Sequence, residues 1–272
     1  MAISLADIKE SLMGPPRLVI YGMEGIGKTT LAAQLPSPIF IAAEDGLPNG
    51  VKAFSPRNYA DVLECIGVLY SEEHNYRTVV LDSTTKVEPW LHDHVVRTVP
   101  NEKGAMVRDI VAYGYNKGFD HALKEWLNLL DGFNALRSDR GMAIVLIAHA
   151  ALERVENPET DPYDRFQIKV NKKAAAAICE WSDATLFLNQ KVSAISAGET
   201  RAGEERKRAV GDGTSVIHTV FRPAWMAKNR YKLPPEMPMK RDDPAGTWAP
   251  IQAAIDAMTQ PQKRTTAPAV HA

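Results

Sequence analysis

The sequence predicts an α/β protein in which a mostly parallel central sheet is flanked by helices and followed by a C-terminal β-hairpin extension. Three observations predict it. Short apolar runs alternate with helical periodicity from residue 15 to residue 150, the pattern of a parallel sheet. A glycine-rich stretch, Gly22-Met23-Glu24-Gly25-Ile26-Gly27-Lys28-Thr29, sits between the first apolar run and the first helix. Glu44, Asp82 and His149 each close an apolar run, which puts them at the carboxyl ends of strands, where open α/β sheets bind ligands.

The elements follow in order. Leu18-Val19-Ile20-Tyr21 reads as a buried strand, and Thr30 to Leu35 as the first turns of a helix. The stretch between them fits G-x-x-x-x-G-K-[ST], a loop whose backbone N–H groups converge on nucleotide phosphates. In that pattern Gly22 to Thr30 form the cradle, Lys28 reaches the β- and γ-phosphates, and the Thr29 hydroxyl binds Mg²⁺. Pro38 to Ala43 reads as a second strand, ending at Glu44-Asp45-Gly46. Ser55-Pro56 reads as a helix start, with Val62, Leu63, Ile66 and Leu69 facing inward. Thr78 to Asp82 is a third strand, Thr84 to Val99 a helix, and residues 100–118 a long loop. Phe119 to Leu136 is a periodic helix, and Met142 to Ala148 a fourth buried strand.

After Ala150 the character changes. Residues 151–171 are polar and read as a loop, Lys172 to Trp181 as a short helix, and Ala184 to Leu188 as a strand. Lys191 to Ile195 and Val216 to Phe221 alternate as hairpin strands do, around a glycine- and charge-rich run, Ala197 to Thr214, expected to be mobile. Trp248 to Met258 reads as a last helix. The expected organisation is a lead-in helix at 1–14, a core at 15–235, an extension with a helix at 236–258, and a disordered Pro-, Gln- and Thr-rich tail at 259–272.

Composition narrows the function classes. The chain has 272 residues, 45% apolar and 24% charged, with net charge −1, so no global field draws it to nucleic acid or acidic membrane. The two cysteines, Cys65 and Cys179, have no metal-type spacing and read as buried thiols of a reducing compartment. The N-terminus lacks a signal-peptide pattern and the apolar runs are too short to span a bilayer. The expectation is a cytoplasmic protein with no membrane partner.

Several residues carry chemistry. Asp82, ending a strand beside the glycine loop, suits the metal held by Thr29. Glu44 suits a carboxylate that orients or deprotonates the attacking water, with Asp45 as its rival. His149 suits a donor that senses the γ-phosphate. Lys228 and Arg230, two apart on extended chain, point the same way and suit cations reaching a neighbour's γ-phosphate. Tyr113, Tyr115 and Lys117 mix aromatics with a cation, as single-strand binding requires, and Arg154, Arg165, Lys169, Lys172 and Lys173 add cations in the second polar segment.

As an ordered set these motifs resemble the RecA-like branch of P-loop ATPases: GMEGIGKTT, FIAAEDGL with Glu44, VVLDS with Asp82 and VLIAHA with His149. KNRY, Lys228 to Tyr231, resembles the KNRFG element of RadA proteins and the K-x-R finger of DnaB-type helicases. The compact size resembles phage-encoded RecA-like ATPases that serve in single-strand annealing and recombination. The resemblance covers roughly residues 15–235. It implies ATP and Mg²⁺ as cofactors, with Lys28 and Thr29 on phosphate and metal, Asp82 in the metal shell and Glu44 as catalytic carboxylate. It implies His149 as sensor where relatives often carry Gln, and Lys228 and Arg230 as trans-acting cations. It further implies single-stranded DNA bound by the loops after Asp82 and after His149, self-association into a ring or filament, a single-strand-binding protein as a possible partner, and a bacterial host cytoplasm. The given sequence shows no CxxC pair ahead of the core, unlike RadA, and the expectation is a chain without the separate N-terminal domain of DnaB. The rival readings are a helicase or helicase-loading motor, a small-molecule or nucleotide kinase, and a nucleotide-gated scaffold that barely turns ATP over.

Overall fold

A computed structural model describes residues 13–199 and 205–259, with side chains left aside between 192 and 212. Apart from their inner ends, the lead-in helix expected at 1–14 and the tail expected at 259–272 lie outside the described residues. The elements are β1 Arg17–Gly22, α1 Lys28–Ala32, β2 Pro38–Ala42, β3 Ala53–Phe54, α2 Tyr59–Ser71, β4 Thr78–Asp82, α3 Thr84–Thr98 and α4 Lys117–Asp139. They continue as β5 Ala143–Val155, β6 Tyr163–Ile168, α5 Lys172–Trp181, β7 Ala184–Glu199, β8 Glu205–His218, β9 Lys228–Asn229, β10 Glu236–Met239 and α6 Pro244–Thr259.

The main sheet runs β10-β8-β7-β1-β5-β4-β2-β3. From β7 to β3 every neighbouring pair is parallel, and β8 and β10 extend it antiparallel. This is the mostly parallel, helix-flanked architecture the sequence predicts. The strands are buried on both faces, so alternate residues of β1 serve two cores. Val19 and Tyr21 pack with residues of α2, α3, α4 and α5, including Leu69, Leu91, Trp126 and Ile178. Leu18 and Ile20 pack on the other face with Leu31 of α1 and with Trp248, Ile251 and Ile255 of α6. The C-terminal helix is thus one wall of the core that carries the glycine loop. Among the described residues no helix is long and apolar enough to cross a membrane.

The structure corrects four readings. The 151–171 segment is not a loop: β5 continues through His149 to Val155 and folds back antiparallel on β6. Alternation of small, apolar and charged residues after Ala150 is the period of a half-exposed strand, and Leu152 faces Phe166 across the pair. The start of α2 is not Ser55-Pro56. Asn58 accepts a bond from the Asp61 N–H at 3.0 Å, while the Asp61 carboxylate accepts from the Arg57 N–H at 2.8 Å, a side-chain cap stronger than a proline preference. Ala184 to Leu188 and Lys191 to Ile195 are one strand, β7, with an irregularity between Gln190 and Val192. The run Ala197 to Thr214 is backbone-paired β7 and β8 except at 200–204, which is outside the described residues. The short strands β3, β9 and β10 had no periodic signal because two to four residues are too few to show one.

Candidate nucleotide site

The glycine loop connects the end of β1 to the start of α1. Gly27, at φ 101°, turns the chain into the helix in a conformation side chains rarely adopt. Gly22 is needed for a different reason: a Cβ there would lie 2.3 Å from the Leu188 carbonyl of β7. Ile26 is buried in the α1-side core and anchors the loop from below. Lys28 is 7% exposed, and its ammonium donates to the carbonyls of Gly22 at 3.1 Å and Met23 at 2.9 Å. Burial pulls its pKa below the ordinary lysine value, against the opposing pull of Asp82, Glu44 and Glu24. An incoming phosphate would relieve that penalty by supplying charge at close range. Met23 and the Glu24 side chain are exposed at the loop crest.

Thr29 meets Asp82 at the end of β4. Its hydroxyl donates to the Asp82 carboxylate at 2.7 Å, although the residues are 53 apart in sequence. Burial raises the Asp82 pKa, partly countered by the Thr29 hydrogen bond. A desolvated carboxylate beside a hydroxyl is a hard-oxygen pair suited to Mg²⁺, which fills its remaining positions with water and phosphate oxygens. Among the described residues no group of three or more His, Cys, Asp or Glu side chains could hold a metal ion.

Glu44 lies alongside. Its backbone N–H donates to the Asp82 carbonyl at 3.2 Å, and its carboxylate accepts a short hydrogen bond from the Ser83 hydroxyl. The His149 Nε2 stands 3.2 Å from both Glu44 oxygens. Burial works against the Glu44 charge, but the Ser83 and His149 bonds outweigh it and hold the carboxyl below its ordinary range. His149 occupies β5 in register with Gly22, its backbone N–H donating to Thr85 Oγ1 at 3.0 Å. Its Nδ1 is buried without a hydrogen-bond partner, 3.9 Å from Glu24 Oε1. Asp45, the rival to Glu44, is exposed and stands outside this cluster.

The cavity enclosing these groups measures about 340 Å³ and is also lined by Thr30, Gly46, Met239, Arg241 and Pro244. Arg241 donates to the Gly25 carbonyl at 2.9 Å, and a Cβ on Gly27 would lie 2.9 Å from the Met239 methyl. These C-terminal residues escaped the sequence reading, since nothing in their local pattern ties them to a loop more than 200 residues away. Ser83, directly after Asp82, was within reach of it. A larger groove of about 920 Å³ beside β3, lined by residues such as Gln34, Phe54 and Tyr76, contains none of the charged groups that converge at the glycine loop.

The structure leaves the other predicted residues elsewhere. Lys228 and Arg230 stand at the opposite end of the sheet, in β9 and just after it, near the start of β7. The Lys228 ammonium donates to the carbonyls of Cys179, Glu180 and Ser182, closing the C-terminus of α5. Arg230 is half-exposed and pairs with the buried Asp183 at 3.1 Å, which also holds Arg17. The Tyr113 hydroxyl donates toward the carbonyls of Val95 and Val99, and its ring packs on α3. Tyr115 is 96% exposed, and Lys117 pairs with Glu102. Arg154 pairs with Asp164 across the β5–β6 hairpin, Lys173 with Asp120, and Lys169 and Lys172 are exposed. The Lys169 N–H donates to the His149 carbonyl at 2.9 Å, so the hairpin is tied directly to the site.

No curated protein matches the chain. Among solved structures, the crystal structure of the RadB recombinase is similar at 14% identity, covering 79% of this chain and 86% of that one with a TM-score of 0.43. The family described as AAA domain matches residues 14–231, from just before β1 to just after β9, spanning the glycine loop, Asp82 and His149. The chain therefore belongs to the AAA domain family.

Proposed function

We propose that the chain is an Mg²⁺-dependent ATPase that binds single-stranded DNA, assembles as a ring or filament, and acts in DNA recombination or annealing of the phage type. The observation that carries the reading is the convergence of Lys28, Thr29, Asp82, Glu44 and His149 on one cavity, at the carboxyl ends of β1, β4 and β2 and midway along β5, where His149 lies beside Gly22. In this reading the glycine loop and Lys28 bind the triphosphate, while Thr29 and Asp82 hold the metal. Mg²⁺ supplies neutralisation of charge on the phosphate oxygens when bound. Glu44 accepts the proton of the attacking water on its carboxylate, which is ionised because Ser83 and His149 hold its pKa low. Positioning of that carboxylate falls to His149 Nε2. Met239, Arg241 and Pro244 wall the side of the cavity near Thr30 and suit the sugar and base.

Arg230 is the cation that would reach a neighbouring subunit's triphosphate, since Lys228 is committed to α5. Single-stranded DNA would act through the β5–β6 hairpin, which starts one residue beyond His149. A partner single-strand-binding protein belongs to this reading without a structural feature of its own.

The test is ATP hydrolysis with and without single-stranded DNA, alongside the molar mass in solution. The expected result is metal-dependent turnover that DNA raises in an assembled protein. Glu44→Gln should lower it by about 10²-fold or more while leaving ATP bound. Phosphate transfer to a nucleoside monophosphate would replace the reading with a kinase, and unchanged turnover in E44Q would replace it with a nucleotide-gated scaffold.

A further inference from the structure

The turn between β8 and β9 carries an exposed feature that the reading above does not use. Phe221 is 50% exposed and Val220 41%. The guanidinium of Arg165, from β6, stands 5.8 Å from the centre of the Phe221 ring. Arg222 beside it is exposed, and neither arginine makes a side-chain hydrogen bond or ion pair among the described residues; the Arg165 Nε is buried without a partner. The turn is rigidly placed. Phe166 and Trp225 form a parallel bridge, with the Phe166 N–H donating to Ala224 and the Met226 N–H donating to Phe166. The Trp225 ring stacks on His218 at 4.0 Å, and its indole N–H donates to the Val220 carbonyl at 3.1 Å. Leu152, opposite Phe166 in the hairpin, is 61% exposed.

We propose that Phe221, with Arg165 and Arg222, is a binding face for single-stranded nucleic acid, in which a base stacks on the exposed ring and the two guanidiniums take the flanking phosphates. Exposed aromatics with adjacent unpaired cations are what sequence-tolerant single-strand binding requires, since every base has a face to stack and every link a negative charge. The face also connects to the nucleotide site: the Tyr21 hydroxyl, one residue before Gly22, donates to the Met226 carbonyl and lies 3.2 Å from the Phe166 carbonyl. The inference rests on the single-strand-binding part of the proposed function.

The experiment is fluorescence anisotropy of a labelled oligothymidylate over a range of salt, with light scattering and Mg²⁺–ATP binding measured on the same samples. Phe221→Ala should weaken the oligonucleotide roughly ten- to a hundredfold with the salt slope unchanged, and Phe221→Trp should restore it. Arg222→Ala should weaken binding and lower the slope of log affinity against log salt by about 1. Wild-type affinity in F221A overturns the proposal. A changed molar mass in F221A at unchanged DNA affinity overturns it too, and gives the face to a second copy of the chain. If the wild type ignores the oligonucleotide yet binds Mg²⁺–ATP, the proposal falls and the ATPase reading stands. If DNA binding depends on Phe221 but ATP is not bound, the proposal stands and the ATPase reading falls.

Discussion

Gly22→Ala tests the account of the glycine loop most directly. The first glycine of such a loop is commonly credited to the phosphates, but here the neighbouring strand demands it. A methyl at position 22 would sit 2.3 Å from the Leu188 carbonyl oxygen and 3.1 Å from the Leu188 Cβ, where ordinary contact begins at 3.4 Å. The obstacle is backbone, so no rotamer change relieves it, and β1 and β7 would have to part locally by about 1 Å from a spacing of roughly 4.8 Å. β1 cannot yield by moving the other way, because Gly22 is also in register with His149 of β5. Overpacking of this kind costs about 2–3 kcal/mol. For a domain of this size that lowers the melting temperature by about 4–12 °C. Differential scanning calorimetry of the variant without nucleotide is the assay, with ATP affinity falling alongside because the movement reaches His149 and Glu44. Gly27→Ala is the contrast. There the obstacle is the φ of 101° and a flexible Met239 methyl, so nucleotide binding should suffer while stability falls by only about 1–2 kcal/mol. A G22A protein melting within about 1 °C of the wild type would refute the argument from strand approach.

Two further outcomes are expected. Burial raises the Asp82 pKa above 3.8, so the folded protein takes up this proton at higher pH than the unfolded chain does. The resulting contribution to stability is fully present at low pH and is lost as pH rises through the folded value; Asp82→Asn removes that loss, so the metal-free variant should melt above the wild type at neutral pH yet show no Mg²⁺–ATP shift, and identical melting-versus-pH curves would contradict this. Lys228→Ala strips the cap from three α5 carbonyls and should cost about 1–3 kcal/mol in chemical denaturation while leaving turnover per folded molecule intact, whereas Arg230→Ala should spare stability and lower turnover only in the assembled protein.

Much of the site was legible in the sequence because its signals are local. A phosphate loop is a contiguous string whose glycines and lysine act through their own backbone, and the strands before Glu44, Asp82 and His149 are apolar runs that end where their polar residue begins. The choice of Glu44 over Asp45 was not legible: both follow the same strand, and only the hydroxyl of Ser83 and the ring of His149 select one of them. The surroundings of the KNRY cations were not legible for a related reason. Spacing shows that two side chains point the same way but not what they meet, and Lys228 meets the open end of α5.

The sequence by itself determined the order of the longer strands and helices as far as Ala150, the phosphate loop and the acids that follow the apolar runs, since periodicity and short-range motifs are properties of neighbouring residues. Tertiary structure alone decided which distant groups share a cavity. It brought Met239 and Arg241 to the glycine loop, extended β5 into a hairpin tied to His149, withdrew Tyr113 into α3 and left Phe221 outside. Such placements follow from how the sheet stacks its strands and from which helix caps which face, and the free energy of that packing is spread over contacts far apart in the chain.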